Sequence, residues 1–105
     1  SPPEQAFLEC LHLVPDHYNY MDLYYIMEQL TSLDPDKVQT ALENTSSQRV
    51  KRMFLYMAEK AGHYWFDTLN LDKFELTSSK LKLVDNGVYI SKYRITVPKE
   101  LNDYE

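Results

Sequence analysis

The spacing of apolar residues changes near Gly62, and this change limits the folds open to the chain. Before Gly62, apolar residues recur every three to four positions, as on one face of a helix. Beyond Leu71, β-branched and aromatic residues alternate with polar ones, which is typical of half-buried strands. The sequence therefore predicts an α+β fold, with an N-terminal cluster of four to five helices followed by a C-terminal β-hairpin or small antiparallel sheet.

Local start signals divide the first part of the chain into helices. Ser1-Pro2-Pro3-Glu4 has the form of a capping box with prolines in the first turn. Asn19 and the Asp34-Pro35 pair are typical N-caps of a second and a third helix. Residues 45–47 can cap the longest helix, 48–61, which ends at a glycine. The apolar stripe predicted for the second helix consists of Tyr20, Leu23, Ile26, Met27 and Leu30.

The strand predictions concern the last third of the chain. Residues 80–83 and 93–97 both alternate between polar and apolar side chains. Asp85-Asn86-Gly87 lies between them and is a strong hairpin-turn signal. We therefore expect these two segments to pair as a hairpin, with a third short strand near residues 74–76.

The 105-residue length and the composition indicate one globular domain spanning residues 1–105. With 44% hydrophobic residues, the chain is too apolar for intrinsic disorder. Its single cysteine, Cys10, excludes an internal disulfide and suits a reducing, cytoplasmic setting. No apolar run approaches the ~18 residues of a membrane span, so we expect no membrane association. Because the chain opens with Ser-Pro-Pro rather than methionine, we expect it to be part of a longer protein.

Charge is distributed unevenly along the chain. Residues 1–46 hold eight acidic residues against one lysine, Lys37, a net charge of −7, whereas residues 47–98 hold nine basic and five acidic residues, a net charge of +4. The whole chain carries −5. This acidity argues against sequence-independent nucleic-acid binding by the whole domain, because phosphate contacts dominate such binding. A local basic surface remains compatible with it.

Basic residues cluster on the longest helix and around the predicted hairpin. The long helix has cations near its N-terminus, where anions are favoured. The alternative is that these basic residues form a solvent-exposed helix face and pair with other side chains of the same helix. If helix and hairpin meet, the predicted basic interaction surface consists of Arg49, Lys51, Arg52, His63, Lys80, Lys92 and Arg94.

A basic helix followed by a hairpin also suggests a second interpretation, a winged helix–turn–helix. Residues 36–44 would then support a recognition helix, 48–61, and the cations of the hairpin would form the wing. Those cations are Lys80, Lys82, Lys92 and Arg94. Two observations oppose direct DNA binding: the long helix is apolar over a wide arc, and the chain is acidic overall.

The chain contains nine tyrosines, more than a small core can hide. Met21 and Tyr25 lie four residues apart on the predicted outer face of the second helix. Aromatic residues are enriched at protein interfaces, so this pair is a candidate aromatic interface through which the chain could form a homo-oligomer. The alternative is that the C-terminal tail covers them.

The residues that usually perform catalysis or bind metals are few and scattered. Cys10 and His12 lie about 200° apart around a helix axis and cannot chelate one ion. His17 and His63 lie far from each other in sequence, and no nucleophile, phosphate-loop or metalloprotease motif occurs. We therefore predict no catalytic residues, no metal and no cofactor, and hence no enzyme.

Two segments together resemble a known family. These are VKRMFLYMAEKAGHYWF at residues 50–66 and KYRITVPKEL at residues 92–101. By the order and spacing of these two segments, the chain resembles the C-terminal domain of the AbiEi family. Members of this family are the antitoxins of bacterial abortive-infection (type IV) toxin–antitoxin systems. One departure is the segment Thr77-Ser78-Ser79-Lys80-Leu81, where the resemblance predicts a stretch rich in glycine and basic residues and only Lys80 is basic.

The resemblance implies both a role and partners. In that family an N-terminal winged helix–turn–helix domain binds and represses the operon's own promoter DNA, and the C-terminal domain opposes a nucleotidyltransferase-like toxin. By this resemblance, residues 1–105 are the C-terminal domain of a transcriptional regulator, without its DNA-reading domain. The implied function is that of a regulatory antitoxin domain acting through a surface.

Overall fold

The computed structural model describes residues 2–105 and has the α+β class that the sequence predicts. Within residues 2–105, five α-helices and two 3₁₀ helices accompany a sheet of three short strands. The elements in chain order are α1 (Pro3–His12), α2 (Tyr20–Gln29), α3 (Pro35–Glu43), α4 (Gln48–Ala61), 3₁₀ helices Tyr64–Thr68 and Leu71–Phe74, β1 (Leu81–Lys82), β2 (Val88–Ile90), β3 (Ile95–Val97) and α5 (Lys99–Asp103).

Helix α4 is the centre of the domain. Nine consecutive residues, Val50 to Ala58, are buried, because α1 and α2 pack on this helix and the chain beyond residue 62 covers its remaining sides. Its N-terminus is capped by Ser47, whose Oγ accepts the Val50 N–H at 3.2 Å. It ends at Gly62, which has a φ of 76°. A non-glycine residue in that left-handed conformation would be strained.

The predicted caps of α2 and α3 are confirmed. The side chain of Asn19 accepts the Asp22 N–H at 2.8 Å, and that of Asp34 accepts the Asp36 N–H at 2.9 Å. The capping box predicted at α1 includes Ser1, which lies outside the described residues. Pro2 is the N-cap of α1, and the Glu4 carboxylate accepts the Asp34 N–H at 3.0 Å. Glu4 therefore joins the start of α1 to the start of α3.

The inner face of α2 differs from the predicted stripe at two positions. Ile26 is 45% exposed, whereas Tyr24, which the sequence places outside the stripe, is buried. The buried set Tyr20, Leu23, Tyr24 and Met27 has helical spacing, but its centre is rotated toward α5. Tyr24 packs edge to face against Tyr104, which follows α5, with 5.8 Å between the ring centroids; the sequence predicts no helix there.

The sheet pairs its strands in an order that the turn signal does not reveal. The strand order is β1-β3-β2, with β1 parallel and β2 antiparallel to β3. The prediction that residues 80–83 and 93–97 form a hairpin is therefore wrong: Leu81 aligns with Ile95 in parallel register, and the hairpin joins β2 to β3. Residues 74–76 form no strand, since a 3₁₀ helix ends at Phe74.

Gly87 lies in the connection from β1 to β2, where the chain passes close to β3. A Cβ atom at this position would collide with the Val97 carbonyl oxygen. The backbone of residue 87 therefore approaches β3 so closely that only glycine fits. The Asp85-Asn86-Gly87 segment does turn the chain, but its glycine serves contact with a strand that comes later in the sequence.

The two short C-terminal elements close one side of the domain. Leu101 of α5 is fully buried, and the Tyr56 hydroxyl donates to Asn102 Oδ1 at 2.8 Å. The Lys60 ammonium donates to the carbonyl oxygen of Tyr104 at 2.6 Å. Both donors come from α4, so the C-terminus is fastened to the central helix. Among residues 2–105, no helix combines the length and the apolar character that a bilayer crossing requires.

Candidate interaction surface

Arg52, a predicted surface residue, lies inside the domain with 0% exposure. Its guanidinium donates to the carbonyl oxygens of Ser79 at 2.6 Å and Thr77 at 2.9 Å, and to Gln48 Oε1 at 3.0 Å. All of these acceptors are neutral. Burial lowers the pKa of Arg52, and the nearby charge of Arg94 lowers it further. Arg52 therefore fastens residues 77–79 to α4 and presents no charge to a partner.

Lys51 and His63 are internal as well. The Lys51 ammonium donates to the Phe74 carbonyl oxygen at 2.6 Å. His63 Nε2 lies 2.6 Å from the Met27 carbonyl oxygen, which accepts from the ring N–H. Both side chains are buried. Lys51 thus binds the carbonyl at the end of the second 3₁₀ helix, and His63 adds a second hydrogen bond to the Met27 carbonyl, which also accepts the Leu30 N–H.

Arg49 is half-buried and is also directed inward. Its guanidinium donates to the Leu11 carbonyl oxygen at 3.0 Å and lies 3.3 Å from the Tyr20 hydroxyl. These contacts hold the end of α1 and the start of α2 to the start of α4. Four of the seven residues predicted to form one basic surface thus make internal contacts, and the predicted surface is not assembled as a whole.

Lys92 is exposed, but its charge is paired. Its ammonium lies 2.7 Å from Glu59 Oε2, and the Tyr93 hydroxyl donates to Glu59 Oε1, also at 2.7 Å. Desolvation alone would raise the pKa of Glu59, but the two hydrogen bonds and the Lys92 charge outweigh it and leave the pKa below its ordinary value. Burial and the Glu59 carboxylate raise the pKa of Tyr93. Lys92 is therefore a weaker candidate for partner binding.

The remaining predicted cations lie at the solvent-exposed side of the sheet. Lys82 and Tyr89 both align with Thr96 of the central strand, so the three side chains form one row across the outer face. The Lys80 ammonium lies 5.4 Å from the centre of the Tyr89 ring, which is 43% exposed. We call Lys80, Lys82, Tyr89, Arg94 and Thr96 the basic sheet face.

Arg94 lies at one end of the basic sheet face, just before the central strand β3. It immediately precedes β3, as Lys80 precedes β1, and the Leu81 N–H donates to the Arg94 carbonyl oxygen at 2.9 Å. Its side chain is exposed, and within the described part of the chain no acidic group pairs with it. The Lys82 ammonium, in contrast, lies 3.1 Å from Asp85 Oδ1. Lys80 and Arg94 are therefore the least neutralised cations of this face.

The predicted aromatic interface is partly covered by the C-terminus. The Tyr25 ring contacts the Tyr104 ring edge to face, with 5.3 Å between centroids. This is the alternative in which the tail covers the outer face of α2. Met21 is half-buried and lines a groove of about 730 Å³ between the α1–α2 connection, the β1–β2 connection and α5. The apolar residues of its wall include Pro15, Tyr20, Leu83, Val84 and Pro98.

The side chains of these surfaces offer cations, an aromatic ring and one thiol. In the part of the chain from Pro2 to Glu105, no three His, Cys, Asp or Glu side chains come together as a metal site. Cys10 is a free, half-buried thiol. The basic sheet face instead combines cations with an exposed aromatic ring, a combination suited to binding an anionic partner.

Two features of this surface are absent from the sequence predictions. Tyr89 is a member of the basic sheet face, and alternation within Val88–Ile90 is the signal that could have placed it outward. The burial of Lys51 and Arg52 has a weaker signal: Leu55 lies between the two faces of the long helix, which indicates contact from more than one side. Their carbonyl partners in residues 74–79 have no signal in the sequence.

The domain is thus a small α+β domain with exposed cations at its sheet. Comparison with known families identifies it further: the family described as transcriptional regulator, AbiEi antitoxin, type IV toxin–antitoxin system matches residues 1–98. The chain belongs to this family of regulators. No curated protein and no solved structure matches it significantly.

Proposed function

We propose that this domain is the non-enzymatic, regulatory antitoxin part of a bacterial transcriptional regulator and that it counteracts a nucleotidyltransferase-like toxin. The observation that carries the proposal is the match of residues 1–98 to the antitoxin family. A family of type IV antitoxins implies a toxin partner. In this proposal the domain is the C-terminal part of a longer chain, and a winged helix–turn–helix domain before it binds promoter DNA.

The basic sheet face is the surface through which the domain acts. Lys80 and Arg94 are exposed and have no acidic partner among residues 2–105, so their charges remain available. Complementary charge increases the rate of encounter and selects the partner more than it raises affinity. Lys92 contributes less, because Glu59 already pairs with it.

Direct DNA binding by this domain as a winged helix is less well supported. A recognition helix needs a free face, whereas Val50 to Ala58 of α4 are buried without interruption. Self-association through Met21 and Tyr25 is a further prediction. Tyr25 already packs against Tyr104, which leaves less apolar surface for a second copy.

The test is co-expression with the reading frame that adjoins the gene for this protein. We expect the adjoining product alone to arrest growth and co-expression of the full regulator to restore it. The double variant Lys80→Glu and Arg94→Glu should lose most of this rescue. The matched control, Lys37→Glu and Lys73→Glu, makes the same change in net charge at exposed positions away from the face and should rescue like the wild type.

The outcomes separate the two parts of the proposal. An adjoining product that never arrests growth, or an arrest that the regulator does not relieve, would contradict the antitoxin role. Equal rescue by the double variant and the wild type would leave the antitoxin role intact and remove the basic sheet face as its surface.

A further inference from the structure

We propose that Arg94, together with Lys80, is the docking point for carboxylates on an acidic surface of a protein partner. This inference rests on the proposed antitoxin function and makes it more specific. Its basis is that Arg94 is unfavourable for the folded domain itself in two independent respects. A binding role accounts for a residue that combines backbone strain with an unpaired charge and whose side chain makes no hydrogen bond or ion pair within the described residues.

The first unfavourable respect is the backbone. Arg94 has a φ of 54°, in the left-handed region where glycine and asparagine are the comfortable residues. The four residues 91–94 connect β2 to β3, and Arg94 is the last of them. Its carbonyl oxygen accepts the Leu81 N–H, so the parallel pairing of β1 with β3 holds this conformation in place. Glycine would satisfy the same backbone without strain.

The second unfavourable respect is charge. Arg94 stands beside Lys80 across the parallel pair, and its charge also lowers the pKa of the buried Arg52 after the effect of burial itself. None of these three cations has a carboxylate partner within residues 2–105. The like charges of Arg94 and Arg52 repel each other. An external anion would relieve this repulsion. We call Lys80 and Arg94 together the basic corner, and this corner is complementary to negative charge.

Features of the whole chain favour a protein carboxylate over a nucleic acid. The domain carries a net charge of −5. A duplex carries one negative charge per ~1.7 Å of axis, and a domain of net negative charge repels such an extended anion. A protein partner can instead present one or two carboxylates to the corner alone. The guanidinium fork of arginine binds a carboxylate through two parallel hydrogen bonds, which lysine cannot reproduce.

The experiment compares Arg94→Gly with Arg94→Lys and a matched control. The control is Glu75→Gly, because Glu75 is also exposed and has a φ of 56°, so its replacement relieves the same backbone conformation without removing a cation. Melting temperatures of the 105-residue chain should rise by about 2–5 °C for both glycine variants. In the co-expression assay with the full regulator, Arg94→Gly should lower the number of rescued colonies at least tenfold. Arg94→Lys should lower it by a smaller factor, and Glu75→Gly should rescue like the wild type.

Each result supports or overturns the inference. A more stable Arg94→Gly variant that loses rescue supports it, since loss of fold cannot then explain the loss of function. Full rescue by Arg94→Gly overturns it while the antitoxin role stands, and failure of the wild type to rescue overturns both. Binding of the wild-type domain to a duplex oligonucleotide that weakens steeply with salt and is lost in Arg94→Gly would assign the corner to nucleic acid and also overturn it.

Discussion

The buried guanidinium of Arg52 permits a quantitative prediction about what holds the helical core to the segment before the sheet. Replacing Arg52 with methionine keeps an unbranched, apolar stem of similar length but removes every donor. The acceptors left behind are the carbonyl oxygens of Thr77 and Ser79 and the Thr77 hydroxyl oxygen, whereas Gln48 Oε1 keeps the Thr77 N–H at 2.9 Å. Residues 77–79 would then have no fastening to α4 through this side chain.

The size of the effect follows from these three acceptors. A hydrogen bond from a charged donor contributes about 1.5–3 kcal/mol. Residues 77 and 79 are exposed, so water can replace part of what is lost. Removing the buried charge also returns its desolvation cost. We therefore expect Arg52→Met to lower the free energy of unfolding by about 2–4 kcal/mol, a large part of the roughly 5–15 kcal/mol of a small domain.

Urea unfolding of the 105-residue chain measures this change, with the exposed Lys73→Met as a control that should change the unfolding free energy by less than about 0.5 kcal/mol. Amide hydrogen exchange adds a local test. The Leu81 N–H bonds to the Arg94 carbonyl oxygen and should exchange faster in Arg52→Met. A loss below about 1 kcal/mol with unchanged exchange would refute the reasoning, because it would mean that the guanidinium does not hold the segment.

Two further predictions concern pH and the sheet. Burial raises the pKa of Tyr56 to about 12, and the pKa of Tyr93 is raised as well. Both values lie above that of tyrosine in the unfolded chain. The free energy of unfolding should therefore keep its full value below pH ~10 and fall as the pH rises beyond it. Unfolding followed from pH 9 to pH 12 should show a shallower fall for Tyr56→Phe. Gly87→Ala should lower the free energy of unfolding by at least about 2 kcal/mol, because its Cβ would meet the Val97 carbonyl oxygen. The Cβ of Gly62→Ala would meet no atom within 4 Å, so this substitution should lower the free energy of unfolding by about 1 kcal/mol through its positive φ alone.

One result for each of these two predictions would contradict it. An unchanged pH dependence in Tyr56→Phe would show that this hydroxyl does not govern alkaline unfolding. Urea unfolding that ranks Gly62→Ala as the more damaging glycine substitution would show that the close approach of residue 87 to β3 is not a constraint.

The sequence by itself determined the features whose interactions stay within a few residues. The caps of α2, α3 and α4 are bonds between residues two or three apart, and Gly62 meets a local conformational need, so the local pattern suffices to place them. The α+β class follows from the change in apolar spacing for the same reason. The family resemblance carried the functional interpretation, since recognition residues have no local signature of their own.

Only the tertiary structure decided which cations are available. Arg52 and Lys51 have the same local pattern as a solvated helix face, and they are internal because residues 74–79 bring unpaired carbonyl groups to α4 from more than twenty positions away. Lys80 and Arg94 become neighbours because β1 pairs with β3 in parallel, whereas the turn signal between them favoured a hairpin. Strand pairing and burial depend on contacts between distant segments, and the free energy of those contacts belongs to the assembled domain rather than to any stretch of its sequence.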